Sequence, residues 1–256
     1  MVLDYRKEGR IAYFVLNRPQ KYNALNPDMM RSLEATMNDF MKDARLRVGI
    51  LTGAGDKAFC AGADVEEWLP FVKASRDKPE LMPRTILRGQ QVDKPLIAAL
   101  NGICFGGGGE LALACDIRIA CEKTLFRWPE ASLGILPRLG GTQRLPRLVG
   151  QARALEILMT AREVTAQEAL AIGLVNKLVE EEELLAVAEE YANKFLEMAP
   201  LALQAIKKCV YIGSNLTLDE GLGLENVLGF SLYDTEDYLE GVTAAREKRR
   251  SNFQAK

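Results

Sequence analysis

The sequence predicts an α/β core over residues 1–190, followed by a helical region over residues 191–256. Three observations carry that reading. Four short runs rich in apolar and β-branched residues, Ile11 to Leu16, Val48 to Thr52, Pro95 to Leu100 and Ile117 to Ala120, have the length and composition of buried strands. Four consecutive glycines, Gly106 to Gly109, join the third run to a short helix-forming segment beginning at Glu110. After Gly150 the pattern is mostly helical, with capping-box patterns at Thr165-Ala166-Gln167-Glu168 and Thr217-Leu218-Asp219-Glu220.

Each element has a local cause. The first strand run ends in the turn Asn17-Arg18-Pro19. Asn26-Pro27 is a helix start, with Asn as the cap and Pro at the first helical position. Met29, Met30, Leu33, Met37, Phe40 and Met41 then recur at three- and four-residue spacing, which predicts an amphipathic helix to about Ala44 whose methionines are core. Gly53-Ala54-Gly55 closes the second strand. Phe59 to Asp64 reads as a loop of small residues, with Asp64 placed to cap the helix after it. From Glu66 to Asp93 the periodicity weakens and Pro70, Pro79 and Pro83 interrupt it, as expected of a variable loop region.

Composition removes several function classes. The 33 basic and 35 acidic residues nearly balance, so no bulk field recruits nucleic acid or a membrane surface. No apolar run approaches the ~18 residues of a membrane span, and the first residues lack the character of a signal or transit peptide. The five cysteines are scattered and never spaced as C-x-x-C, which predicts reduced core side chains and a cytoplasmic setting. There is no histidine. Serine–histidine and cysteine–histidine catalysis and His-ligated metal sites are thereby excluded, and acid–base chemistry falls to carboxylates, Lys, Tyr, Cys or backbone groups.

Ala98 to Asp116 is the most informative stretch. It reads as a strand, a glycine turn that lets a ligand approach the backbone, and a helix start whose free N–H groups favour negative charge. A carboxylate in that turn, Glu110, would repel a bound anion. It suits proton transfer beside a carbonyl whose oxygen becomes partly anionic. The small-residue loop Cys60 to Asp64 and the Trp128-Pro129-Glu130 segment complete a possible shared site. Each piece alone is weak: such loops are usually tight turns, and a Pro-Glu pair is usually a solvated helix start. Together they offer two backbone donors and two glutamates, and losing one such donor typically costs ~10²–10³ in rate.

These motifs resemble the enoyl-CoA hydratase/isomerase (crotonase) superfamily over nearly the whole chain. The resemblance rests on L-N-R-P-Q-K-Y-N-A-L (Leu16 to Leu25), F-C-A-G-A-D-V (Phe59 to Val65) and G-G-G-G-E-L-A-L-A-C-D (Gly106 to Asp116). P-E-A-S-L-G-I-L-P-R-L-G-G-T-Q-R-L (Pro129 to Leu145) and E-K-R-R-S-N-F extend it. It implies a crotonase-like α/β spiral of ββα turns whose C-terminal helices mediate a homotrimer or a dimer of trimers. It implies reversible syn hydration of trans-2-enoyl-CoA to 3-hydroxyacyl-CoA, as in fatty acid β-oxidation. Coenzyme A would be part of the substrate, with no separate cofactor and no metal.

By the same resemblance the oxyanion hole falls on the N–H groups of Ala63 and Gly107, and the catalytic pair on Glu110 and Glu130. Glu110 would activate the water, and Glu130 would supply the proton that reaches the α-carbon. The adenine end of coenzyme A falls on Ala61, Gly62, Ala63, Asp64 and Val65, with Asn23, Ala24 and Leu25 close by. Lys248 of a neighbouring subunit would reach the phosphates. Trp68, Phe105, Trp128 and Leu136 are candidates for the acyl pocket.

The chain departs from the family pattern at Trp128, Phe105, Arg138-Leu139, Glu66 and Ala245, which reads either as drift in packing or as a reshaped acyl pocket. An isomerase, or another acyl-CoA lyase or hydrolase of the same fold, is the alternative activity, although isomerases usually keep only the second glutamate. A dinucleotide-binding oxidoreductase is a weaker rival: Gly107 to Ala112 fits a loose G-x-G-x-x-A pattern, but about eight residues before the next strand are too few for a crossover helix. A non-catalytic member of the same fold is the remaining rival.

Overall fold

The computed structural model describes residues 1–256. The first strand, β1 (Leu3–Glu8), is antiparallel to β2 (Ile11–Leu16), and α1 (Pro27–Lys42) follows. The Asn26 side chain accepts from the Met29 N–H at 2.9 Å, and Met29, Met30, Leu33, Met37 and Phe40 are buried, as the spacing predicts. Next come β3 (Val48–Gly53), β4 (Ala58–Cys60) and α2 (Trp68–Ala74), then β5 (Leu96–Leu100), β6 (Ile103–Phe105) and α3 (Gly107–Leu113). The third turn is β7 (Ile117–Cys121), β8 (Leu125–Arg127), a 3-10 turn at Pro129–Leu133, and α4 (Gly141–Val149).

After the β1–β2 hairpin and α1, each turn of this spiral gives one strand to each of two sheets. The larger sheet runs β1-β2-β3-β5-β7-β10, where β10 is Lys177–Val179, and is parallel from β2 onward. The smaller runs β4-β6-β8-β9, where β9 is Val164–Thr165, and is parallel except for its last pair. A spiral of strand–strand–helix turns is therefore the architecture that the resemblance implies.

The chain is completed by α5 (Gln151–Thr160), α6 (Ala166–Ala171), α7 (Leu184–Leu196), α8 (Pro200–Gly213), α9 (Leu218–Leu232) and α10 (Glu236–Glu247). Thr217 and Glu220 form the complete reciprocal capping box that starts α9. Thr165 caps α6, but Glu168 turns to Arg162 instead of closing the box.

Both faces of the larger sheet are covered, which is why its strands read as continuous apolar runs. Ala12, Phe14, Leu16, Leu51, Ala98 and Leu100 face the main core with α1 and α3. Ile11, Tyr13, Ile50, Ile97, Ala99 and Ile119 face a second cluster closed by Val187, Ala188 and Ala192 of α7. Residue 190, where the sequence reading divides the chain, lies inside α7. No residue of α8 or α9 is buried, and Val210, Val227, Phe230 and Leu239 are each 63–69% exposed. The five cysteines are unbridged, and four of them are buried. No helix is long and apolar enough to cross a membrane.

Three segments differ from the sequence reading, the first being Phe59-Cys60, which ends the buried strand β4 rather than opening a loop. Trp68–Ala74 is helical despite Pro70, because a proline in the first turn gives up an N–H that has no intrahelical partner anyway. Asp64 does not cap α2 directly. Its Oδ1 accepts from the Glu66 and Glu67 N–H groups at 3.1 and 3.2 Å, capping the turn that leads into the helix.

Candidate active site

The site forms where the ends of β4 and β6 bring two turns together. The Leu25 N–H donates to the Gly62 carbonyl at 2.7 Å, and the Asp64 N–H to the Leu25 carbonyl at 2.9 Å. This bridge uses the residues on either side of Ala63, so the Ala63 N–H is turned away from Leu25. Gly107 is the first residue of α3, where an N–H has no intrahelical partner. The two amides are neighbours: a Cβ built on Gly107 would lie 3.7 Å from the Ala63 nitrogen, and one on Gly62 would lie 3.2 Å from the Gly107 nitrogen.

Two glycines make this approach possible. Gly106 has φ +46 and starts α3 without a capping side chain. At Gly108 a Cβ would lie 1.9 Å from the Cys60 carbonyl oxygen, so α3 touches the end of β4 backbone to backbone.

Glu110 sits in the first turn of α3 and is 1% exposed. Its Oε1 accepts the Gly141 N–H at 2.7 Å. Burial pushes its pKa up to about 7; the Gly141 N–H opposes that rise, Glu130's charge adds to it, and the Leu139 N–H and Arg144 also oppose it. Glu130, in the Pro129–Leu133 turn, lies against Gly106, its Oε1 2.7 Å from where a Cβ on that glycine would be. Burial also raises the Glu130 pKa, and its buried Oε2 has no hydrogen-bond partner within the chain. Two carboxyls whose pKa values are raised by burial thus flank the turn that carries the Gly107 amide. Such a constellation can polarise a carbonyl oxygen with two donors while moving protons on and off the adjacent carbons.

The remaining sequence candidates are placed unevenly. Asn23 is fully buried in a left-handed conformation with φ 56. Its side chain accepts from the Arg18 N–H and donates to the Ala54 and Ala58 carbonyls, so its polar groups serve the fold. Asp64 is 3.0 Å from the buried Arg18 guanidinium, which also donates to the Ala24 carbonyl and to Glu67. Val65 is exposed, Ala61 and Ala63 are half-buried, and Gly62, Ala24 and Leu25 are buried. Leu25 and Leu139 both reach Gly107 with a methyl group.

Trp128 is fully enclosed, nearly parallel to Phe126 and pressed against Gly109, and its indole N–H has no partner. Trp68 is buried on Phe71, and Phe105 is half-buried at the end of β6. Leu136 instead lines a cavity of about 1070 Å³ between α4 and α8, to which neither glutamate contributes. Lys248 ends α10 in a left-handed conformation and is exposed.

Reading the sequence alone misses the buried Arg18, the half-buried Arg144 and the Leu139 and Gly141 amides. Nothing in their local pattern separates them from ordinary turn and helix residues.

The model of the Enoyl-CoA hydratase/isomerase family matches residues 6–256. A short-chain-enoyl-CoA hydratase of Clostridium acetobutylicum is 41% identical over 95% of this chain and 94% of its own length. A crotonyl-CoA hydratase of Syntrophomonas wolfei is 40% identical over 98% and 96% of the two chains. An (E)-benzylidenesuccinyl-CoA hydratase of Thauera aromatica is 40% identical over 99% of each. Among solved structures, an enoyl-CoA hydratase from Bacillus anthracis superposes over 100% of both chains with a TM-score of 0.91 at 37% identity.

Proposed function

The chain belongs to the enoyl-CoA hydratase/isomerase family, and from that premise we propose that it is an enoyl-CoA hydratase adding water reversibly and syn to trans-2-enoyl-CoA. The observation that carries the reading is the pair of glutamates, buried Glu110 and half-buried Glu130, either side of two neighbouring unpartnered amides.

Water is a poor nucleophile and an enoyl thioester a modest electrophile. The Ala63 and Gly107 N–H groups receive the thioester oxygen, lowering the energy of the enolate that develops as the β-carbon is attacked. Glu110 accepts a proton from the attacking water, and the water oxygen forms the new bond to the β-carbon, keeping its second hydrogen as the product hydroxyl. The proton that ends on the α-carbon comes from Glu130, and the proton taken from water restores the balance within the carboxyl pair. Raised pKa values suit this exchange, because one shared proton supplies both an acid and a base near neutrality. Coenzyme A is part of the substrate, and no separate cofactor or metal enters.

The Ala61 to Val65 loop, with Asn23 to Leu25 behind it, is the proposed rest for the adenine end. Lys248 of a neighbouring subunit is the proposed phosphate contact. The exposed apolar residues of the 191–256 region support assembly into a homotrimer or a dimer of trimers, and the unbridged cysteines support a reducing, cytoplasmic setting. Trp68, Phe105 and Trp128 remain proposed acyl-pocket residues, while Leu136 lines the cavity between α4 and α8 instead.

The test is a panel of acyl-CoA substrates assayed for hydration and for double-bond migration with wild type, Glu110→Gln and Glu130→Gln. Each substitution is expected to lower hydration of a short enoyl-CoA by roughly 10²-fold or more. Wild-type rates in both variants, or double-bond migration without hydration in the wild type, would overturn the proposal.

A further inference from the structure

Glu110 is held by peptide groups that are themselves held. The Gly141 N–H bonds its Oε1, and the Leu139 N–H faces the same carboxylate. The Leu139 amide sits on the irregular turn Pro137 to Gly140, and the Gly141 amide on the first residue of α4 that follows it. What fixes the turn is Arg144, one helical turn further on. One guanidinium nitrogen of Arg144 donates to the Leu139 carbonyl at 3.0 Å, and the other to the Ile86 and Leu87 carbonyls, both at 3.1 Å. A second arginine repeats the tie, Arg88 donating to the Arg138 carbonyl at 3.3 Å. No carboxylate pairs with Arg144, although its surroundings are desolvated enough to lower its own pKa. A half-buried cation whose hydrogen bonds go only to main-chain carbonyls is an expensive way to brace a surface turn. It is well suited to bracing a charged group whose orientation matters.

We propose that Arg144 is the positioning residue for Glu110: its planar fork locks the Leu139–Gly141 peptides that hold the Glu110 carboxylate and ties them to the Thr85 to Gly89 turn. Its charge serves the same end. The charged groups that act on Glu110 are Glu130 from the Pro129–Leu133 turn and Arg144 from α4. Arg144 in turn faces Glu110, Tyr211 of α8 and Cys115 after α3. Glu130 favours the protonated form of Glu110, and Arg144 favours the ionised form needed to accept a proton from water. Lysine would keep the charge but would not reach three carbonyls from one plane.

This inference rests on the hydratase reading, and its test separates the two. Wild type, Arg144→Lys, Arg144→Met and Arg147→Met (an exposed arginine on the same helix) are compared for the pH dependence of kcat/KM on a short enoyl-CoA. The titration of the Glu110 carboxyl is followed independently by ¹³C NMR of selectively labelled protein. Both Arg144 variants are expected to lose kcat by roughly 10²-fold, the cost of misplacing a reacting group by about an ångström, with KM changed far less. Arg144→Met is also expected to move the acidic limb and the NMR titration to higher pH, Arg144→Lys to leave both near their wild-type positions, and Arg147→Met to change nothing. If Arg144→Met does not fold, the loss of kcat in Arg144→Lys decides the matter. A kcat within twofold of wild type for Arg144→Lys, or an unmoved limb and titration in folded Arg144→Met, overturns the proposal. Absence of hydration by the wild type would instead remove the functional reading, while the NMR titration would still judge the arginine.

Discussion

Replacing Glu110 by Gln is expected to raise stability while removing activity, and the gain should depend on pH. The folded protein lifts the Glu110 pKa to about 7 from an ordinary 4.5, mainly by burial. Because the folded state prefers the neutral acid, holding the ionised form costs stability as pH rises from 4.5 through 7 and adds no further cost above that range. Linkage gives under about 1 kcal/mol at pH 5 and about 3 kcal/mol at pH 8. Glutamine keeps an oxygen for the Gly141 N–H but leaves an amide donor without a carboxylate's charge, a penalty that does not vary with pH. The difference between the two pH values, about 2 kcal/mol, therefore isolates the ionisation. In a chain of this size that corresponds to a relative Tm gain widening by roughly 4–8 °C from pH 5 to pH 8. The assay is thermal unfolding of wild type and Glu110→Gln at both pH values and one protein concentration, since assembly shifts Tm by mass action. A Tm difference that stays flat across that range would refute the reasoning, because it would mean that Glu110 titrates normally in the fold.

Other substitutions test neighbouring parts of the argument. Gly108→Ala places a methyl carbon 1.9 Å from the Cys60 carbonyl oxygen. Helix α3 must then move away from β4, which should cost roughly 10²-fold in kcat with the fold retained by circular dichroism; a wild-type kcat would show that the contact does not set the Gly107 amide. Trp128→Gln is expected to change the ratio of kcat/KM values across acyl chain lengths, since it removes a large side chain enclosed behind α3. An unchanged profile would make Trp128 a packing residue alone.

Four strands of the larger sheet, β2, β3, β5 and β7, were legible because they are five or six residues long and carry continuous apolar runs. Helix α1 was legible from its cap and its methionine spacing. The smaller sheet was not, since β4, β6 and β8 have three residues each, too few for any alternation to register. Strand β1 escaped because most of its residues are polar and lie at a sheet edge. At the site, the glycine turn announced itself through composition. Arg18 and Arg144 did not, because an arginine whose partners are sequence-distant carboxylates or main-chain carbonyls has the same sequence appearance as a solvated one. The Gly141 contact with Glu110 spans 31 residues and has no local signature at all.

The main-chain contact between α3 and β4 has an evolutionary consequence. Because the proposed oxyanion donors are anchored by peptide groups, the side chains around them can be exchanged without disturbing the seat proposed for the electrophile. Selection can then retune which acyl groups are accepted through Leu139, Trp128 and their neighbours while the reaction itself is inherited intact. A scaffold of this kind diversifies by lining and conserves by backbone.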